Sequence, residues 1–210
     1  MIRFANRIDR NVLDYVFFKQ YHQGQINDIL TSTPIILDLG SNIGLTVADF
    51  KIKYPGSKVY GYEMDKGNFV LARKNCEKFN QVQLFNKAVW KNTGKIRYGN
   101  DNTPDAYSVT EHSPTGIEVE CITISDILEE NNLAYVDILK MDIEGAELDI
   151  IYSHDVSWLA RIKSFNIEFH NQTEVEMNRH IDFFNSHGFF TQRGLHHWNS
   201  LEGRNNSFGT

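Results

Sequence analysis

The segment 35–44, IILDLGSNIG, leaves this chain few folds to choose from. Its first five residues are almost continuously apolar. That suits a strand covered on both faces, as in the middle of a parallel sheet. Two glycines then open a turn, and Ile43, Val47 and Phe50 recur at helical spacing toward a stop at Tyr54-Pro55-Gly56. KVYGYE (58–63) repeats the strand, and Phe69, Ala72, Cys76 and Phe79 repeat the helix face. VQLFNKAVW (82–90) reads as a third strand and its exit. This β-α-β-α-β order predicts an α/β fold with a mostly parallel, doubly wound sheet.

Upstream, Val12, Tyr15, Val16 and Lys19 predict a helix over 10–23 with Gly24 as its stop. Residues 1–33 are therefore expected as a helical cap on one domain, 34–210. Downstream, GKIRYGN and GIEVECITI predict an inserted β-hairpin-like segment around a polar loop, 99–116. That loop is long for a passive connection. A helix over 123–132 is expected next, capped by Thr123 or Ser125, then a buried strand YVDILKM (135–141) and a helix over 146–153. IKSFNIEFH (162–170) reads as a further strand. Val175, Met177, Ile181 and Phe184 stripe a last helix closed by Gly188, and GFFTQRG with NNSFG predicts an antiparallel C-terminal strand pair.

The net charge of −6 argues against non-specific attraction to nucleic acid or anionic lipid. No apolar run reaches the roughly 20 residues that span a bilayer, and MIRFANRIDRN lacks the apolar core of a secretion signal. Cys76 and Cys121 make neither a disulfide framework nor a zinc site of usual spacing; both lie on apolar faces as expected core thiols. A cytoplasmic protein with no nucleic-acid and no membrane partner is the expectation.

Open α/β sheets bind ligands at strand carboxyl ends. Polar clusters fall at four such ends here: Asp38–Gly44, Glu63–Asp65, Asp142–Glu147 and Glu168–His170. In Gly40-Ser41-Asn42-Ile43-Gly44, glycine permits a sharp turn and close ligand approach, and the helix behind it offers free N–H groups. A dinucleotide turn would carry a middle glycine where this chain has Asn42, and a phosphate loop would carry Gly-Lys-Ser/Thr. The turn therefore suits an amino-acid carboxylate better than a pyrophosphate, which also speaks against a nicotinamide oxidoreductase. Glu63, at the end of the second strand, can accept hydrogen bonds from ribose hydroxyls. A ribose and an amino-acid carboxylate without phosphates describe S-adenosyl-L-methionine.

LDLGSNIGLT, VYGYEMDKGNFVLARKN, VQLFNKAVW, ITISDIL, VDILKMDIEGAELDII and IEFH, taken in order, resemble the FkbM-type S-adenosylmethionine-dependent methyltransferases over about residues 34–193. KMDIEGAE is the most specific part of that resemblance. It implies a Rossmann-like methyltransferase fold and O-methylation of a hydroxyl on a sugar, glycan or natural product. It also implies that Asp38, Gly40, Ser41, Asn42 and Gly44 surround the methionine part of the cofactor. Glu63 would hold the ribose, and Asn86 and Ala88 would border the adenine.

Methyl transfer to a hydroxyl needs positioning and removal of a proton. The candidates are Lys140, Asp142, Glu144, Glu147, Glu168 and His170. Lys140 and Asp142 are two apart on one strand, Glu168 and His170 two apart on the next, so the four would crowd one rim if those strands are neighbours. His170 is the expected general base, because its ordinary pKa lies near working pH. Asp142 would orient the base or the acceptor, or contact the cofactor, and Glu147 and Asp149 read more simply as carboxylates of a helix first turn. Asp142, Glu144, Glu168 and His170 could hold Mg²⁺ or Mn²⁺. However, Ile143 stands where catechol-type metal-dependent enzymes pair Asp with Asn, so no metal ligand is assigned. The 99–116 loop, with Tyr107 and Ser108, and the N-terminal helix are expected to shape the acceptor site. His196-His197 beside Trp198 reads as a loop or a wall of that site. A non-catalytic module that keeps the cofactor fold is the alternative. Nucleic-acid methylation is disfavoured by the charge and by the lack of an Asp/Asn-Pro-Pro-Tyr/Phe motif.

Overall fold

The structure is a computed structural model that describes residues 3, 7–22, 31–99, 108–110, 116–195 and 197–208. Its centre is a seven-stranded sheet in the order β10-β11-β9-β8-β1-β2-β3. Here β1 is Ile35–Leu39, β2 Lys58–Tyr62, β3 Val82–Phe85, β8 Val136–Met141, β9 Ile162–Glu168, β10 Phe189–Arg193 and β11 Ser200–Asn205. β1, β2, β3, β8 and β9 run parallel, and β11 is antiparallel to both β9 and β10. The parallel, doubly wound sheet with an antiparallel C-terminal pair is therefore present, as the apolar strand pattern requires. Leu37, Leu39, Leu139, Met141, Phe165 and Ile167 have no exposed surface, and burying each such side chain contributes about 2 kcal/mol.

Chain order reverses between β1 and β8. β2 and β3 build outward from one, β9 from the other. This switch point opens a crevice above the carboxyl ends of β1 and β8. α2 (Leu45–Lys53) follows β1, α3 (Lys66–Cys76) follows β2, and α5 (Glu147–Ile151) follows β8. Asp65 caps α3 by accepting from the Asn68 N–H at 2.7 Å. Thr123, rather than Ser125, caps α4 (Ile124–Glu130) through the Asp126 N–H at 3.0 Å. α6 (Glu174–Ser186) opens on a reciprocal Thr173–Glu176 capping box.

Several expected bounds move. The N-terminal helix begins earlier, as α1 (Arg7–Leu13), and runs into a π-helical turn at Asp14–Phe18. VQLFNKAVW divides between two sheets. β4 (Ala88–Val89) leaves the main sheet to pair in parallel with β7 (Ile117–Ile122). β5 (Gly94–Gly99) is antiparallel to β7 and carries β6 (Ser108–Thr110) on its other edge. Trp90, Ile96, Tyr98, Val119 and Cys121 give this second sheet its own apolar face, packed on Ala146. The last strand is SLEGRN, not NNSFG; residues 206–208 form a 3₁₀ turn. Its polar sequence hides it, but β9 and β10 flank it on both sides and satisfy its backbone. On α6 the core face is Met177, His180 and Phe184, while Val175 is 63% exposed. Gly24, Tyr107, most of the 99–116 loop and His196 lie outside the described residues. No described helix is long and apolar enough to cross a membrane.

Candidate active site

The crevice at the switch point holds a cavity of about 230 Å³. That is several times the ~30 Å³ share of one water, so it suits an organic ligand. Gly40, Ser41, Asn42, Glu63, Ala88 and Asp142 are among the residues that line it. Val12 and Tyr21 reach it from the N-terminal segment, which packs on Ile43 and Leu45 at the start of α2.

The turn after β1 packs against neighbouring backbone while lining the cavity. Gly40 and Gly44 have φ of +81° and +80°, and Asn42, also left-handed, has +48°. A Cβ on Gly40 would lie 1.8 Å from the Asp142 carbonyl oxygen, and one on Gly44 would lie 2.9 Å from the Ala72 Cα. The missing side chains thus admit neighbouring backbone, and Gly40 also lines the cavity. The turn's amides are also engaged. Gly40 and Ser41 donate to the Tyr62 carbonyl, Gly44 to Ser41, and Asn42 to Glu63 Oε2 at 2.8 Å. Among the donors left for a ligand carboxylate are those of the first turn of α2, where Leu45 and Thr46 line the cavity.

Glu63 accepts from Asn42 and, through Oε1, from the Asp65 N–H at 2.7 Å. Burial pushes its carboxyl up to about 7, although these N–H bonds oppose the shift. Asn86 clasps the Glu63 and Met64 carbonyls at 2.9 Å each and so braces this wall from behind. Asp38 and Gly44 are likewise under the cavity rather than on it. Fully buried Asp38 accepts from the Thr46 hydroxyl and lies 3.4 Å from Lys140 Nζ.

Lys140 donates to the Gly40 carbonyl at 2.9 Å and lies 3.7 Å from Asp142 Oδ2. Burial works against its charge, but the Asp38 and Asp142 carboxylates around it more than compensate and hold the ammonium above its ordinary range. It joins the ends of β1 and β8 from below and does not face His170.

β8 and β9 are neighbours, so Asp142 and His170 do meet. His170 Nε2 lies 3.7 Å from Asp142 Oδ1 and 3.4 Å from Glu144 Oε2, while Nδ1 is 3.1 Å from Glu147 Oε1. Burial lowers the His170 pKa, but the Glu147 hydrogen bond and the charges of Glu147, Asp142 and Glu144 outweigh it and hold it near 9. As placed, the ring is an imidazolium at neutral pH, so the ordinary-pKa reason for choosing it as base does not apply. Burial and then Asp142 repulsion raise Glu144 to about 7. Glu168 stands to one side, accepting from Asn199 at 3.2 Å and 3.8 Å from His197 Nδ1; burial and Asp142 raise it too.

Two more residues complete the cluster, Glu147 from among the sequence candidates and Tyr21 from outside them. Glu147, read as a first-turn carboxylate, is 1% exposed and also accepts from the Ile143 and Gly145 N–H groups. The three-residue step from Glu144 could have suggested that it turns to the same side. Tyr21 donates to Asp142 Oδ2 at 3.1 Å, and burial raises its pKa well above ordinary, so it stays a phenol. Nothing in the sequence signals a contact spanning 121 residues.

The profile of the methyltransferase FkbM domain matches residues 38–191, from the end of β1 into β10. The chain belongs to the FkbM methyltransferase domain family. "Methyltransferase 1" of Beauveria bassiana is 28% identical over 144 residues, 57% of this chain and 58% of that protein. "2-O-methyltransferase NoeI" of Sinorhizobium fredii is 26% identical over 138 residues, 56% of each. The FkbM-family chain thus spans a little over half the length of these relatives. A methyltransferase FkbM structure from Methylobacillus flagellatus KT superposes with a TM-score of 0.61 at 14% identity, covering 93% of this chain and 53% of that one. That likeness is one of fold. Within the FkbM match lie the turn, Glu63 and the whole carboxylate–imidazole cluster; Tyr21 precedes it.

Proposed function

We propose that this FkbM-family chain is an S-adenosyl-L-methionine-dependent methyltransferase that O-methylates a hydroxyl on a sugar, glycan or natural product. One observation carries the reading: Asp142 and Glu144 belong both to the cavity wall and to the cluster around His170. A donor in the cavity and a hydroxyl at the cluster would therefore be adjacent, which is the positioning that transfer demands. The cavity's polar groups fit the donor. Glu63 keeps lone pairs for ribose hydroxyls, and the first turn of α2 offers N–H groups to a carboxylate.

When bound, the cofactor supplies an electrophilic methyl group on a sulfonium. Held by Glu63 and the first turn of α2, it would give that methyl group up to the acceptor oxygen, and the sulfur would keep the electron pair. Asp142 and Glu144 orient the hydroxyl, and its proton passes to the cluster and on to water. The name of the Sinorhizobium relative supports oxygen as the acceptor atom. The test is calorimetry with S-adenosylhomocysteine and NAD, followed by transfer of labelled methyl across a library of hydroxylated sugars and natural products. Binding of S-adenosylhomocysteine and labelled methyl ethers are expected. Binding of NAD alone would sink the reading, and donor binding without transfer to any acceptor would favour a non-catalytic module.

A further inference from the structure

We propose that Asp142 Oδ1, Glu144 Oε2 and His170 Nε2 form a divalent-cation site of the Mn²⁺/Mg²⁺ class. Each of these residues offers a ligand atom within 4.8 Å of the others'. Nε2 is 3.4 Å from Glu144 and 3.7 Å from Asp142, beyond the 2.7–3.2 Å of a nitrogen–oxygen hydrogen bond. The single Nε2 hydrogen could not serve both oxygens in any case. The three groups are gathered without hydrogen-bonding one another. Adjacent ligands of an octahedral ion with bonds of about 2.1 Å are about 3 Å apart. Closure around an ion therefore requires Nε2 to approach each carboxylate oxygen by less than 1 Å.

The remaining atoms of two of these groups already have partners outside the set. His170 Nδ1 is held by Glu147 at 3.1 Å, and Glu147 is itself buried and fixed by two backbone N–H groups. Asp142 Oδ2 accepts from Tyr21, with Lys140 on that same side. Such outer partners set the ring orientation of a ligating histidine and turn the free atoms inward. Two carboxylates and one imidazole favour Mn²⁺ or Mg²⁺ over thiophilic ions. With three protein ligands, positions stay open for water and a hydroxyl.

Ion binding depends only on these residues; what the ion does rests on the methyl-transfer reading. A hydroxyl at an open position becomes more acidic. Its proton leaves to Glu168 or water as the oxygen takes the methyl group and sulfur keeps the electron pair. His170 then acts as a ligand, not as the proton acceptor.

The test is titration of the chelator-stripped protein with Mn²⁺, followed by calorimetry and by loss of the free-ion resonance signal. One saturable equivalent is expected, with affinity at least tenfold weaker in Glu144→Gln and Asp142→Asn. The surface control Asp149→Asn should bind as the parent does. Melting curves identify any variant that has lost its fold, and half-exposed Glu144 gives the variant least able to disturb it. No saturable Mn²⁺ binding, or binding unchanged in folded Glu144→Gln, overturns the site. S-adenosylhomocysteine calorimetry on the same samples separates the readings: donor binding without Mn²⁺ removes only the ion, and Mn²⁺ binding without the donor removes only the proposed function.

Discussion

Gly40 and Asp142 meet backbone to backbone where β1 and β8 end, so closely that a Cβ on Gly40 would lie 1.8 Å from the Asp142 carbonyl oxygen. The Asp142 N–H also donates to the Leu39 carbonyl at 3.0 Å. The turn that walls the cavity and the residue that leads into the cluster are thus one rigid junction. Changes on one side are expected to be felt on the other.

Gly40→Ala must displace Asp142 and adopt a positive φ, so a loss of about 3 kcal/mol is expected, together with weaker S-adenosylhomocysteine binding. Gly188, φ +88°, has open space where a Cβ would go. Gly188→Ala should cost only about 1 kcal/mol, the left-handed backbone term alone. Chemical denaturation of both variants decides; equal losses would refute the contact argument.

Lys140→Met removes a buried ammonium from between Asp38 and Asp142 and leaves two carboxylates uncompensated. Breaking a buried ion pair in this way costs about 3–5 kcal/mol. Denaturant melts should show that loss in Lys140→Met, and a second substitution, Asp38→Asn, should recover part of it. A variant as stable as the parent would mean that Lys140 does not hold the junction.

Glu63 has a folded pKa raised to about 7 against an ordinary 4.5, with Asp65 adding to the rise and Lys140 opposing it. The folded state therefore holds the proton more tightly than the unfolded chain. Its contribution is full below about pH 4.5 and is lost as pH rises through 7. The cofactor-free parent should lose on the order of 2 kcal/mol relative to Glu63→Gln between pH 4.5 and 8. Melting temperatures of both proteins across that range test the sign; parallel curves would rule it out.

Tyr21→Phe deletes one hydrogen bond to Asp142 and leaves the ring in place. Stability should fall by about 1 kcal/mol, and kcat/KM by about tenfold if that bond orients Asp142 during transfer. A KM change without a kcat change would instead assign Tyr21 to ligand binding.

Much of the frame was legible in the residues. IILDL, KVYGYE, VQLF and YVDILKM are short, apolar and spaced by helical stripes, and local pattern of that kind sets a parallel sheet and the strand ends at which polar residues gather. Less legible were SLEGRN, whose strand character comes from β9 and β10 on either side, and AVW, which the second sheet draws away from VQLF.

The sequence by itself determined the sheet, the sharp turn at Gly40 and which carboxylates would sit near it, since these follow from periodicity and backbone freedom. Only the tertiary structure decided that Gly40 packs against the Asp142 backbone, that Lys140 turns beneath the junction, and that Glu147 and Tyr21 fix His170 and Asp142 from outside. Most of these pairings join residues 23 to 121 positions apart. Side-chain direction and burial select them, and neither is written in local spacing.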